Sequence, residues 1–540
     1  MKKNLSIVIL LISLAISQSV FSQTYSFEKG KVPEGWKIDK GVLHISSEKY
    51  KSGSRSLQIK WKQNAVLTIP SPTGISEACR NRNGGMNAWI YNESPTKENL
   101  LFSFRDETGK EVCQLPFLLD FKGWRCIWAK FQGDMNMSSK SNIQSVEIQF
   151  PQHTKKGVTY IDLLEFTSKV SWQNMSDAQY KVNRTDYSLI PDFIGYRNAT
   201  PKVEKVITAE DNQITTITDR LTTWYLGSGQ HSSERWIKMR TENEKTFIRN
   251  GVKAAQKIKI QYTEDHTPQG EPLFPMGAPT IIDGQEAKKF RSINENILLP
   301  LALDYRKNQN DQSLKKALYI YDWFNDQGWA DGSSMGTLCF EKLRSSGYFH
   351  SFFLLKEQLS PEQLKRELQT MNWFTMFGAC YQLPSHAGEV ADNLRALAIP
   401  KLIYALSQND KQEREVALTA FKHYMDNALG IAPGFFGTFK ADFSGYHHRG
   451  PYHSAYYPHA LYAGALIAYL LHDTPYALSE TTLHNLKQGL LTFRFFCAGL
   501  EVPAGTVGRF PKGQQILETL LPAFAYTALS FKEPDKELTA

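Results

Sequence analysis

The densest group of side chains capable of chemistry lies between Lys440 and His459. Four of the chain's 13 histidines fall in this stretch, together with four tyrosines: His447, His448, His453, His459, Tyr446, Tyr452, Tyr456 and Tyr457. An imidazole and a phenol can act as an acid–base pair, because burial or a neighbouring charge adjusts the pKa of each group. The stretch lies between two helical patterns, where loops often carry function on a rigid scaffold. It therefore predicts a site of acid–base catalysis.

Two other interpretations of this stretch were weighed against catalysis. A metal site would need ligand spacing such as HExxH, which these histidines lack, and Asp442 is the only carboxylate nearby. We therefore predict no metal at the site and no required cofactor. A structural calcium ion in the N-terminal half stays open, although no clear ligand spacing supports it. A loop with a purely structural role is the second alternative, but so many titratable and aromatic side chains in one loop are typical of a functional site.

Residues 23–170 have the pattern of short β-strands separated by turns. Segments such as 42–46, 56–61, 87–91 and 145–150 alternate in polarity or are rich in β-branched residues, and Gly, Pro and Asn lie between them. The pattern predicts a β-sandwich of the jelly-roll type. We expect most of its tryptophans in the core and keep one open as a sugar-stacking ring, the candidates being Trp36, Trp61, Trp89, Trp124 and Trp128.

The second half of the chain has a helical period. A polar, mixed stretch over 171–268 is predicted to be a linker and the start of the catalytic region, and the helices follow over 269–540. Ser360-Pro361-Glu362-Gln363 has the form of a capping box at a helix start. Serial helices of similar length with short loops predict stacked antiparallel hairpins, either a solenoid or an α/α toroid. The predicted fold class is multidomain α+β, a β-sandwich followed by an incomplete α/α toroid.

The N-terminus predicts export. Lys2 and Lys3 precede an almost wholly apolar run over 7–16, and small residues stand just before Gln23. This pattern is typical of a signal peptide, residues 1–22, and the apolar run is too short to span a bilayer. We therefore expect a secreted or periplasmic protein without a membrane span. Its six cysteines lack CxxC spacing; one or two bridges within the first domain, for example involving Cys113 and Cys126, stay open.

Length and charge narrow the class of protein further. A chain of 540 residues predicts two to four domains. The hydrophobic fraction of 41% and the charged fraction of 21% exclude a disordered or fibrous chain. The formal charge of +8 suits an acidic partner. Because the excess is spread along the chain without a long Lys/Arg run, we expect no nucleic-acid partner.

An ordered set of motifs makes the chain resemble a known family. Asp442-Phe-Ser-Gly-Tyr-His-His448, then Tyr456, then Asp473-Thr-Pro, then Gly508-Arg509-Phe-Pro resembles the chondroitin/hyaluronan/xanthan lyases, and most closely the chondroitin sulfate ABC lyase branch. The resemblance covers essentially the whole mature chain. Each motif alone is weak, but the ordered set is specific. The sandwich region also resembles the carbohydrate-binding-like N-terminal domain of that branch.

The resemblance implies β-elimination on a uronic-acid polysaccharide. This reaction removes the C5 proton beside the uronate carboxylate and expels the oxygen at C4. In the family, a His and a Tyr serve as base and acid, an Arg supports the Tyr, and an Asn meets the uronate carboxylate. These roles imply His448, Tyr456, Arg509 and Asn393 here. A guanidinium beside a phenol favours the tyrosinate, which makes the phenol usable as a base.

Several assignments within the predicted site stay open. The interval between His448 and the tyrosine needs a one-residue insertion relative to the closest branch, so Tyr457 is a rival to Tyr456. We also assign substrate-binding roles to Tyr452, His453 and Tyr457. Asn393 has the alternative of being an ordinary polar helix residue. The oligomeric state is left open.

Two departures from the family pattern affect the expected function. The related ABC lyases carry a His-rich segment where this chain has Ser334–Arg344 without a histidine, so specificity is expected to differ. The family also continues into a β domain that supplies a glutamate, and we expect this chain to lack that domain. A non-catalytic binder of acidic glycans is therefore the alternative function. A glycoside hydrolase is disfavoured, because it needs two carboxylates where the His448 segment offers only Asp442.

Overall fold

The computed structural model of the protein describes residues 24–171, 176–182, 193–228, 234–262, 267–273, 290–335, 344–507 and 516–539. The predicted signal peptide and Arg509 lie outside the described residues, as does most of the segment without histidine.

The first domain is a sandwich of two antiparallel sheets, as predicted. One sheet has the strand order β1-β4-β9-β6-β7 and the other β2-β3-β10-β5-β8. Alternating apolar residues of both sheets fill the space between them, because successive side chains of a strand point to opposite faces. The bounds are β1 Lys37–Ile38, β2 Gly41–Ser46, β3 Ser56–Lys62, β4 Val66–Pro70, α1 Ile75–Arg80, β5 Gly85–Asn92, β6 Asn99–Arg105, β7 Glu111–Leu118, β8 Gly123–Lys130, β9 Ser145–Gln149 and β10 Lys156–Thr167.

The remainder of the described chain is largely helical. Its first part comprises α2 Phe193–Arg197, α3 Asp211–Leu226, α4 Arg235–Ala255, β11 Ile260–Tyr262, β12 Pro268–Gly270, a π-helical turn Asn294–Leu298, α5 Leu299–Asn308, α6 Asp311–Asp326, α7 Ser346–Leu355 and α8 Pro361–Thr375. The second part comprises α9 Ala391–Leu406, α10 Lys411–Ala428, β13 Tyr446–His447, β14 Gly450–Pro451, α11 Tyr457–Leu471, α12 Glu480–Phe496, α13 Ile516–Leu529 and α14 Lys536–Thr539.

Local signals explain where several of these helices start. The Ser360 hydroxyl accepts from the Gln363 amide at 3.2 Å and the Gln363 side chain reaches back, which is the predicted capping box. Asp410 caps α10 by accepting from the Glu413 amide at 2.9 Å. Consecutive helices pack through one continuous apolar core, so the helical half behaves as a single scaffold for the loops at its ends.

The region predicted as a linker contributes to this helical core. Within 171–268, α3 and α4 place Ile214, Ile217 and Leu221 in the same core as the later helices. The apolar residues of α3 recur at helical spacing, but polar residues surround them, which is why the stretch has a mixed composition. Helical packing thus begins well before residue 269.

A buried polar seam joins the sandwich to the helices. The Tyr91 hydroxyl donates to Asp326 Oδ1 at 2.6 Å, and Lys49 Nζ lies 3.4 Å from the same oxygen. Asp177 accepts from the Cys126 and Ser334 amides at 2.9 and 2.8 Å. Buried charges with hydrogen-bonded partners resist separation, because breaking one contact leaves an uncompensated group. The seam therefore fixes the outer face of the second sheet against α6.

The structure decides two expectations about the sandwich. All five tryptophans are buried, so none of them is an exposed sugar-stacking ring, the possibility we kept open. Trp36 and Trp61 lie in the sandwich core, but Trp89, Trp124 and Trp128 lie on the outer face of the second sheet, so the expectation that most would lie in that core was wrong. Cys113 and Cys126 are not bonded. Cys113 lies in the core between the sheets, whereas Cys126 lies on the outer face of the other sheet, against the helices. Cys79, the remaining cysteine of the first domain, is also free, so the bridges left open within that domain do not form.

Candidate active site

The tip of a short β-hairpin carries the predicted histidine. Strands β13 and β14 pair in antiparallel fashion and are joined by His448 and Arg449 alone. Both residues have positive φ, 49° and 66°, which is the pattern of a type I′ hairpin turn. Non-glycine residues pay a conformational cost of about 1–3 kcal/mol there, which persists only where the surrounding structure enforces it. The hairpin exposes His448, while His447 before it is buried.

The predicted tyrosine stands at the start of α11. Tyr456 is the N-cap residue and Pro458 occupies the first turn, where a missing amide hydrogen costs nothing. Tyr456 is half-buried and faces the hairpin. Its position at a helix end, on a long buried helix, holds the phenol against the histidines.

The rings of the hairpin and the helix form one cluster. The Tyr456 ring stacks on His447 with centroids 3.9 Å apart and an interplanar angle of 20°. His448 meets the same phenol ring edge-on at 5.5 Å, and Tyr452 does so at 5.0 Å. The two imidazole centroids lie 4.0 Å apart. The fold thus brings together three of the predicted site residues, His448, Tyr452 and Tyr456.

Helix α9 supplies charges to this cluster that sequence reasoning missed. Asp392 Oδ2 lies 3.5 Å from His447 Nε2, and Arg395 forms an ion pair with Asp392 at 2.7 Å. The Arg395 guanidinium carbon lies 5.4 Å from the centroid of the Tyr456 ring. Burial acts to raise the pKa of the Asp392 carboxyl, but His447 and Arg395 outweigh it and lower that pKa to about 2. A cation over the phenol favours its ionised form.

The spacing of these charges was a usable signal. Asp392 and Arg395 are three residues apart on one helix, where side chains share a face. Asn393, the residue chosen from this segment, is 8% exposed, and its amide donates to Glu389 Oε1 at 3.2 Å. Helix α9 therefore faces the hairpin through Asp392 and Arg395, and Asn393 lies at its buried edge.

Tyr457 and His453 are buried supports of the site. The Tyr457 hydroxyl donates to the Phe443 carbonyl at 2.8 Å, and burial raises the pKa of its phenol. His453 Nε2 accepts from the Gly445 amide at 3.2 Å, and burial lowers the pKa of its imidazole to about 4. Both side chains are at most 1% exposed, which does not fit the substrate-binding roles assigned to them. Between the two rival tyrosines, only Tyr456 lies in the ring cluster with His448.

Two residues of the family motifs, Asp442 and Thr474, have structural roles in this fold. Asp442 Oδ1 accepts from the Ser444 amide at 3.0 Å and from its hydroxyl at 2.6 Å, which closes the turn before the hairpin. In the Asp473-Thr-Pro motif, the Thr474 hydroxyl donates to the Leu471 carbonyl at 2.7 Å and satisfies the end of α11. The motif residues that remain for chemistry are His448 and Tyr456, with Arg509 outside the described residues.

The described part of the chain holds neither a metal-binding cluster nor a membrane-spanning helix. No group of three or more His, Cys, Asp or Glu side chains there is arranged to hold a metal ion. None of the helices there is long and apolar enough to cross a membrane.

The β-sandwich and the helical half, which carries the imidazole–phenol cluster, match the two domain models of a family of lyases. The chain belongs to this lyase family: the family model described as "Lyase, N terminal" matches residues 21–182, and "Lyase, catalytic" matches residues 200–539. The resemblance that the ordered motifs indicated is thereby confirmed.

Curated relatives place the chain more closely. It is 26% identical to the chondroitin sulfate ABC exolyase of Bacteroides thetaiotaomicron over 562 residues, covering 96% of this chain and 52% of the relative. It is 24% identical to the chondroitin sulfate ABC endolyase of Proteus vulgaris over 570 residues, covering 96% and 54%. The chain thus spans about half the length of these relatives. A Paenibacillus xanthan lyase structure aligns with a TM-score of 0.48 at 12% identity, covering 61% of this chain and 30% of that one.

Proposed function

We propose that the protein is a polysaccharide lyase that cleaves uronic-acid-containing glycosaminoglycans by β-elimination. Chondroitin and dermatan sulfate are its first substrates and hyaluronan is a further one. The observation that carries the proposal is the cluster of His448 and Tyr456 on two separate elements, backed by the charges of α9. The names of the curated relatives, chondroitin sulfate ABC lyases, support the choice of substrate.

The proposed reaction assigns one proton transfer to each residue. His448, as the neutral imidazole, takes the proton from C5 of the uronate, and the electron pair of that C–H bond forms the new C4–C5 double bond. The C4–O bond breaks, and the departing oxygen takes the proton of the Tyr456 phenol. Proton exchange from His448 to Tyr456 through solvent restores the starting state. The products are one fragment with an unsaturated uronate at its new non-reducing end and a second fragment with an anomeric hydroxyl, which is a new reducing end.

The two charged residues of α9, Asp392 and Arg395, act as positioning groups in this scheme. Asp392 orients the His447 ring, and that ring stacks on Tyr456, so the phenol is held toward His448. Arg395 faces the phenol ring and favours the tyrosinate that forms when the proton leaves. Neither group needs to touch the sugar, because both act on Tyr456.

Acidity at C5 requires that the uronate carboxylate be neutralised. Asn393, carried over from the family motif, is the proposed contact for that carboxylate, and Arg509 is proposed to support Tyr456. Tyr452, which lines the ring cluster, is proposed to contact the sugar. The Asn393 side chain is only 8% exposed. We therefore expect it to contact the carboxylate from the buried edge of α9.

We also propose that the protein is exported and meets its substrate outside the cytoplasm. The supporting observation is the signal-peptide pattern of residues 1–22. We expect the protein to be recovered from the culture medium or the periplasm, and mass spectrometry should show that its N-terminus lies near Gln23. Intact retention in the cytoplasm would contradict it.

The lyase proposal predicts loss of a specific product in two variants. Chondroitin, dermatan and hyaluronan chains are incubated with the protein, and ultraviolet absorbance of the unsaturated uronate is recorded. We expect Tyr456→Phe and His448→Ala to lower the rate by about 100-fold or more, since each removes one proton transfer. Tyr462→Phe, on the same helix outside the ring cluster, is the matched control and should keep the wild-type rate.

Other outcomes of this assay exclude the lyase. New reducing ends without absorbance would indicate hydrolysis. Binding of the chains without any product would leave a non-catalytic binder of acidic glycans, which is the alternative that the sequence raised. Full activity in Tyr456→Phe would remove this tyrosine from the mechanism.

A further inference from the structure

A basic groove lies on the sandwich domain, on an element unrelated to the ring cluster. It is an open cavity of about 760 Å³ on the outer face of β2, β3 and β10. We define the lysine groove by the four lysines that line it: Lys40, Lys60, Lys62 and Lys156. Its volume is in the range of sites for small ligands or short segments of a polymer.

Strand register explains why these lysines share one face. Leu57, Ile59 and Trp61 point into the sandwich core, so the alternating Lys60 and Lys62 point outward. Lys62 is directly opposite Lys156 on β10, and its backbone amide bonds to the Lys40 carbonyl at 3.0 Å. Lys40, Lys62 and Lys156 therefore form one row across the sheet, and Lys60 lies roughly 7 Å from Lys62 along β3.

The arrangement is electrostatically unfavourable in the absence of a ligand. Like charges directly opposite each other destabilise a strand pair, and Lys62 and Lys156 occupy such a pair. Among the described residues, none of the four lysines forms an ion pair with a carboxylate. Asp39 is the single acidic residue that lines the groove, and one of its oxygens accepts from the Val66 amide at 2.7 Å. Four lysines and one aspartate leave a charge of +3.

The rest of the lining identifies the chemistry of the ligand. Val42 is 60% exposed and lies opposite Lys60, so an apolar surface accompanies the charges. The one aromatic ring of the lining, Trp61, is 1% exposed and cannot stack on a base. Nucleic acids without base contacts would leave that surface unused, which favours a sugar polymer bearing anionic groups.

We infer that the lysine groove is a second binding site for acidic polysaccharide, which takes sulfate and carboxylate groups of a chain that the catalytic cluster also engages. The choice of this polymer rests on the proposed function. The same sheet continues into the aromatic face that packs on α6, so the groove is fixed relative to the helical domain by the buried seam. The site would hold long chains near the catalytic domain and have little effect on short ones.

Polysaccharide binding by the lysine groove is measured in the Tyr456→Phe background, because this variant is expected to bind chains without cleaving them. The variant Lys60→Ala/Lys62→Ala/Lys156→Ala is compared with Lys29→Ala/Lys110→Ala/Lys140→Ala, which removes the same charge from exposed sites of the sandwich. Dissociation constants for labelled chondroitin sulfate chains are measured at two salt concentrations. We expect about tenfold weaker binding and a flatter salt dependence for the groove variant alone.

Activity with a native Tyr456 provides the second measurement. The groove variant should have a higher KM for long chains than the wild type. With a tetrasaccharide as substrate, both its kcat and its KM should equal those of the wild type. Equal binding by both triple variants would overturn the proposal that the lysine groove binds polysaccharide, and it would leave the lyase proposal intact. If the wild type makes no unsaturated product, the binding measurement still decides the groove.

The choice of ligand class is tested in the same experiment. Duplex DNA and vesicles of anionic phospholipid are added as competitors at equal charge concentration. Weak competition supports the polysaccharide assignment. Lysine-dependent binding of DNA or vesicles that exceeds binding of chondroitin sulfate would overturn it.

Discussion

Tyr456 and Tyr457 are neighbours in the sequence, yet the fold gives them opposite environments. Tyr456 lies in the ring cluster at the helix N-cap, and Tyr457 is fully buried with its hydroxyl on the Phe443 carbonyl. A helix turns by about 100° per residue, so the two adjacent side chains point in different directions and meet different parts of the same loop. The motif could place the pair only to within one residue. Side-chain packing makes Tyr456 the member of the pair proposed for catalysis.

Asp392 is the residue with the clearest pH dependence. Its folded-state pKa of about 2 lies below the ordinary value of 3.8. A depressed carboxylate pKa stabilises the folded state above the ordinary value, and that contribution disappears as pH falls toward the folded pKa. We expect Asp392→Asn to lower the free energy of unfolding at pH 7 by about 2 kcal/mol.

The pH series provides the internal control for Asp392→Asn. The difference from wild type in urea unfolding should shrink between about pH 4 and pH 2, where the carboxyl gains its proton. A constant difference over that range would show that the carboxylate is not held by His447 and Arg395.

The hairpin that carries His448 is held in place by residues that take no part in the proposed chemistry. Gly445 precedes β13 and lies against Tyr457: an added Cβ would sit 1.8 Å from the ring carbon Cγ. The ring of Tyr457 is thus packed directly on the backbone that leads to His447 and His448. This close approach explains why residue 445 is a glycine, since any larger residue would overlap the Tyr457 ring. The sequence alone gives no reason for a glycine at this position.

Gly445→Ala is therefore expected to disable the site at a distance. The methyl group must displace Tyr457 or the strand, which shifts the hairpin away from Tyr456. We expect a loss of at least about 2 kcal/mol in unfolding free energy and a large fall in lyase activity. Gly450→Ala, in the same hairpin with nothing within 4 Å of the added carbon, should change both by little. Equal effects of the two substitutions would contradict the packing argument.

At the scale of the molecule, the two domains are held as one body by buried polar contacts. Asp326 on α6 receives the Tyr91 hydroxyl and lies beside Lys49, both from the sandwich. Such contacts add specificity of docking, and losing the shared partner leaves a buried ammonium and a buried phenol. The lysine groove depends on this rigidity if it is to hold a chain for the catalytic domain.

We expect Asp326→Ala to uncouple the domains. It should lower stability by about 3–5 kcal/mol and split a single calorimetric unfolding transition into two, since the sandwich and the helices have separate cores. Asp311→Ala, at the exposed start of the same helix, should cost under about 1 kcal/mol and leave the transition single. A single transition for Asp326→Ala would show that apolar contacts alone join the domains.

Strand and helix existence followed from the sequence, because alternation and helical period are local properties. The predicted strands over 56–61 and 145–150 match β3 and β9 to within one residue, and the predicted helix start at Ser360 is the start of α8. Helices α3 and α4 were missed because few apolar residues mark their one buried face. Strand β10 was missed because its length and bulge break simple alternation.

The sequence by itself determined the two domain types, the family and the pair of histidine and tyrosine proposed for catalysis, because residue types, periodicity and ordered motifs carry that information. Only the tertiary structure decided which tyrosine joins the cluster, that His447, Asp392 and Arg395 back it, and that four lysines share one face of the sandwich. These facts depend on which side chains of distant segments meet. A linear pattern cannot supply them, since packing and strand register set those meetings.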